Sequence, residues 1–62
     1  MTEHQKSELL FNFKKFGAVL IMGVDMETGT QEECRVFGEE NNEDEVLQFI
    51  TDLENSGLAI FV

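Results

Sequence analysis

Few side chains in this sequence are equipped for covalent chemistry: one imidazole at His4, one thiol at Cys34, and thirteen carboxylates. A Cys–His nucleophile pair needs a third group to orient the base and a rigid frame to hold all three. His4 lies near the start of the chain, where fraying is expected. Cys34 falls in a strand-like stretch, where a lone thiol behaves as a small, half-buried hydrophobe. There is no glycine-rich phosphate loop, no Walker pattern and no nucleophile elbow. The inventory argues against an enzyme.

Carboxylates can also hold metals or shuttle protons. The stretch Asp25-Met26-Glu27-Thr28-Gly29-Thr30 opens like a calcium loop, with acids at its first and third places. The likeness then fails. Thr30 stands at the sixth place, where glycine is required, and Val36 at the twelfth, where a bidentate Glu belongs. General acid–base work needs a carboxyl whose pKa is raised by burial. The acids here fall at turns, at a helix start and on an outer helix face. No metal and no cofactor is expected.

What remains is the placement of charge. The net charge is -9 over 62 residues, and every Lys, Arg and His lies within the first 35. Such a field repels nucleic acid and anionic membrane and favours basic protein surfaces. Two groups of acids are therefore candidate partner-binding residues. Glu39, Glu40, Glu43, Asp44, Glu45, Asp52 and Glu54 come from a turn and the helix after it; Asp25, Glu27, Glu32 and Glu33 come from a hairpin tip. Duplex DNA carries one charge per about 1.7 Å of axis. A rigid helix presents carboxylates at comparable spacing, which suits the phosphate channel of a nuclease, a polymerase or a CRISPR effector. The plainer reading of the same run is a solvated face that keeps a small apolar domain soluble.

These residues must be held by a single domain, residues 1–62. A chain this short buries only about 60% of its unfolded surface, so its core is marginal without help. One cysteine permits no internal disulfide and suits a reducing compartment. The polar start, Met1-Thr2-Glu3-His4-Gln5, is unlike a signal peptide. The longest apolar-rich run, 16–24, is far short of the roughly 20 residues that span a bilayer. A cytoplasmic, soluble protein is expected. Disorder is argued against by 42% hydrophobic residues, six Phe and no Pro.

The expected fold class is α+β, in the order helix, strand, strand, helix, strand. Leu9, Leu10, Phe13 and Phe16 fall near one face at spacings of three and four, which predicts a helix over 2–15 that Gly17 would end. The alternation Leu10-Phe11-Asn12-Phe13 also fits a strand, so both readings stay open there. A strand is expected over 18–26, a turn at 27–30 with Gly29 at positive φ, and a returning strand over 32–38. Asn42 reads as a helix N-cap, with Glu45 completing a capping box. Val46, Phe49, Ile50 and Leu53 follow at helical spacing until Asn55-Ser56-Gly57, and 58–62 forms the last strand. A right-handed crossover into that strand predicts a three-stranded, mostly antiparallel sheet of order 2-1-3. The central strand is apolar on both faces: Ala18, Leu20, Met22 and Val24 on one, Val19 and Ile21 on the other. Either the first helix wraps to the second face or another molecule covers it.

In organisation the chain resembles the small acidic inhibitors of phages and mobile elements. Anti-CRISPR proteins, anti-restriction DNA mimics and the uracil-glycosylase inhibitor share its shortness, acidity, hairpin and acidic helix. That class has no common sequence pattern, and no fingerprint residue carries over. The resemblance implies inhibition of a basic nucleic-acid-handling protein by electrostatic occlusion, without direct contact to nucleic acid or membrane. The alternative is a homodimeric structural or regulatory adaptor, with the sheet face as seam and the acidity serving solubility.

Overall fold

The open question at the N-terminus resolves as a helix, and its first turn shows why. A computed structural model describes all 62 residues. Helix α1 spans Glu3–Phe16 behind a complete capping box: the Thr2 hydroxyl accepts from the Gln5 amide, and the Gln5 side chain accepts from the Thr2 amide. Two donors that a helix start leaves orphaned are thus satisfied. Gly17 closes α1 at φ 78°, its amide donating to the Phe13 carbonyl. His4 consequently sits inside a capped first turn, not in a frayed end, and is exposed.

Strand β1 (Val19–Asp25) pairs antiparallel with β2 (Thr30–Phe37) and with β3 (Ala59–Phe61), giving the order β2-β1-β3. The hairpin is tighter than expected. Asp25 accepts from the amide of Glu27 through its side chain and from that of Gly29 through its carbonyl. With Gly29 at φ 71°, Thr30 is already paired to Asp25, so β2 begins before Glu32. Register shifts between Gly23 and Val24, whose partners are Glu33 and Gln31, leaving Glu32 as the extra residue of a bulge. β3 is shorter than the run 58–62. The Leu58 amide is spent on the Leu53 carbonyl at the end of the preceding helix, where Gly57 turns at φ 74°.

Helix α2 spans Glu43–Asn55 and is capped by Asn42, whose side chain accepts from the Glu45 amide. The box is not completed. The Glu45 carboxylate accepts from the Asn41 side chain instead of returning to the cap. Asn41 also accepts from the Gly38 amide and so pins the loop between β2 and α2.

Both helices pack on the same face of the sheet. Leu9 and Phe13 of α1, Val46, Ile50 and Leu53 of α2, and Ile21 and Phe37 of the sheet form the whole buried hydrophobic core. Full burial of such a side chain is worth about 1.5–3 kcal/mol. Gly23 lies under α2, where a Cβ would stand 2.7 Å from Leu53 Cδ2 and 3.0 Å from Leu58 Cδ1. Its missing side chain sets how closely α2 approaches the sheet. The first helix does not wrap round. The Leu20, Met22 and Val24 face of β1 is left open.

Candidate partner-binding surface

None of the thirteen carboxylates is buried. Their positions on α2 divide them by role. Glu43 and Glu54 are eleven residues apart, about three turns at 3.6 residues each, and therefore share the helix flank that meets α1. Lys14 Nζ lies 2.6 Å from Glu43 Oε1. The amino group of Met1 donates to Glu54 Oε2 at 2.7 Å, and Lys6 Nζ lies 3.6 Å from Glu54 Oε1. The hydrogen bond from that amino group is the main cause holding the Glu54 carboxyl below its ordinary 4.5. Desolvation opposes the shift, and the Lys6 charge adds to it. These two acids clamp the helices together, and their charge is compensated within the molecule.

The opposite flank of α2 faces β2. There Asp44, Glu45 and Asp52 line an open groove together with Asn42, Gln48, Phe49 and Arg35. The groove encloses about 400 Å³. Gln48 donates to Asp52 at 2.9 Å, which fixes that carboxylate without neutralising it. Phe49 packs obliquely on Phe37, ring centroids 5.6 Å apart, and gives the groove an apolar wall. Arg35 stacks its guanidinium 4.5 Å from the Phe37 ring centroid and makes no ion pair. Arg35, Asn42, Gln48 and Phe49 join the acids here, although none of them belongs to the acidic pattern that marks the surface in the sequence. Alternation along β2 was the available signal for Arg35, since Phe37, Arg35 and Glu33 pair with the helix-side residues Val19, Ile21 and Gly23.

The remaining acids lie elsewhere. Glu39 and Glu40 belong to the loop before α2, Glu39 beside Gly17 and Glu40 folded back over Gly38. At the hairpin, Asp25 is engaged in the turn, whereas Glu27, Glu32 and Glu33 are exposed and unpaired. Glu3, Glu43 and Glu54 are the carboxylates within ion-pair distance of a cation, which leaves ten of the thirteen unpaired.

Cys34 is exposed on β2 opposite Met22, not half-buried, because the helices pack against the other face. No group of three or more His, Cys, Asp or Glu side chains is arranged to hold a metal ion. No helix is long and apolar enough to cross a membrane. Comparison with family models, curated proteins and solved structures gave no match.

Proposed function

We propose that this protein binds a basic nucleic-acid-handling protein, a nuclease, polymerase or CRISPR effector, in the cytoplasm and occludes its phosphate-binding channel. Its action would be of the phage anti-defence kind: non-catalytic and electrostatic. The observation that carries this reading is the groove flank of α2. Asp44, Glu45 and Asp52 project there on a capped helix, none of them within ion-pair distance of a cation. Glu39 and Glu40 extend the negative surface past the helix start, where no Lys, Arg or His follows in sequence. Phe49 supplies an apolar neighbour of the kind that interface anchors need. Charge would govern encounter rate and choice of partner more than final affinity. Glu43 and Glu54 serve the fold in this account, so the contact set narrows to the groove acids, the loop and the hairpin tip.

The test is displacement. Purified nucleases, polymerases and CRISPR effectors are each loaded with fluorescently labelled duplex DNA and titrated with the protein. Release of DNA from one of them, weakening steeply between about 50 and 200 mM salt, is the expected result. Binding that ignores salt, or no release from any of them at low salt, counts against the proposal.

A further inference from the structure

We infer that the outer edge of β2 takes an extended, basic segment of the partner protein as a fourth strand, seated beside the acidic flank of α2. This mode of binding rests on the proposed function, whose groove acids it assigns to one part of the partner. β2 stands at the end of the sheet order, so alternate residues direct their N–H and C=O groups away from β1. Outside the ladder with β1, no hydrogen bond reaches the strand between Gln31 and Phe37. The bulge at Glu32 ends regular pairing on the hairpin side. From Glu33 to Phe37 the strand pairs residue for residue with β1, contains no Pro and is exposed as far as Val36. That stretch is about 17 Å long at 3.4 Å per residue. β3, the other edge, has only three residues and is too short to hold a partner strand. On a free edge, main-chain hydrogen bonds supply affinity and alternate side chains supply choice.

Charge selects the occupant. Side chains on the helix side of an added strand enter the groove, where Asp44, Glu45 and Asp52 stand against one cation, Arg35. That balance repels an acidic segment and draws a basic one. Asp44 and Asp52 are eight residues apart on α2, about 12 Å along its axis at 1.5 Å per residue. Side chains four residues apart on a strand point the same way and lie about 14 Å from each other. Cations at the first and fifth positions of the segment therefore reach the two ends of the groove. The third position meets Phe49 and Arg35, which favour an apolar side chain over a further cation.

The probe is a blocked nine-residue peptide, STRTVTRTS in one-letter code, titrated into the isotopically labelled protein at about 50 mM salt. Amide resonances from Glu33 to Phe37 and along the groove flank of α2 should shift together, with a dissociation constant on the order of 0.1 mM. Moving one arginine by a single place, as in SRTTVTRTS, turns it to the other face and should weaken binding about tenfold. Two N-methylated copies separate strand addition from charge alone. Methylating one alternate set of peptide amides should abolish binding, and methylating the other should leave it within about threefold, because only one set faces the edge. Asp52→Asn should weaken binding about fivefold with circular dichroism unchanged. No binding at 50 mM salt, equal affinities for the two methylated copies, or shifts confined to α2 overturns the inference. Displacement of DNA without peptide binding removes this mode and leaves the proposed function standing; peptide binding along β2 without displacement from any effector does the reverse.

Discussion

Replacing Gly23 by Ala places a methyl carbon 2.7 Å from Leu53 Cδ2 and 3.0 Å from Leu58 Cδ1, about 1 Å inside ordinary carbon–carbon contact. Leu53 is only 2% exposed, so its side chain has no free space to swing into. Overpacking of a filled core costs about 1–3 kcal/mol. Gly23 does not have positive φ, so Ala is tolerated by the backbone and recovers about 0.5–1 kcal/mol of chain entropy. The balance is a loss of up to about 2.5 kcal/mol, near 1 kcal/mol at the middle of both ranges, against a total near 3–9 kcal/mol for a chain of this length. In thermal unfolding followed by circular dichroism, Tm should fall by about 4–8 °C at that mid-range loss. Leu53→Val removes the clashing methylene and by itself should cost about 1 kcal/mol. In the double variant the two losses should not add, with a coupling of about 1 kcal/mol. An unchanged or raised Tm for Gly23→Ala, or strict additivity in the cycle, refutes the argument that this glycine sets the approach of α2.

The clamp between the helices gives two further predictions. Because the Glu54 carboxyl is held below its ordinary value in the folded protein, its contribution to stability is present above that value and lost as pH falls through the folded pKa. Glu54→Gln should therefore lower Tm at neutral pH, with the gap from the parent closing in acid; a gap that persists in acid contradicts the pairing. Charge reversal separates the two roles on α2. Glu43→Lys faces Lys14 and should cost up to about 1 kcal/mol more than Asp44→Lys does. Both residues lie in the first turn, so the helix-dipole penalty is common to them and the difference isolates Lys14. Under the proposed function Asp44→Lys abolishes DNA displacement at unchanged fold, and equal displacement by both variants would oppose the division of labour.

The elements themselves were legible because their causes are local. Asn42 before an apolar 3.6-residue repeat, the apolar run around Ile21, and Gly29 between two strands each act within a few residues, and the sheet order followed from burying the most apolar strand between the others. Local signals also misled. The Asn42–Glu45 spacing of a capping box was present, but Asn41 captured the carboxylate, while the working box lay at Thr2 and Gln5. Spacing alone does not say which of two nearby donors is closer in space.

The sequence by itself determined the balance of charge, the confinement of every cation to the first 35 residues, and the amphipathic periods from which the fold is built. Tertiary structure decided which carboxylates remain unpaired, because only the packing of α1 beside α2 brings Lys14 to Glu43 and Lys6 to Glu54. It also decided which face of β1 is covered. Both faces are apolar, so hydrophobicity could not choose between them. The choice came from pairing Val19 with Phe37, and from a glycine at position 23 that leaves room for a helix on one side only.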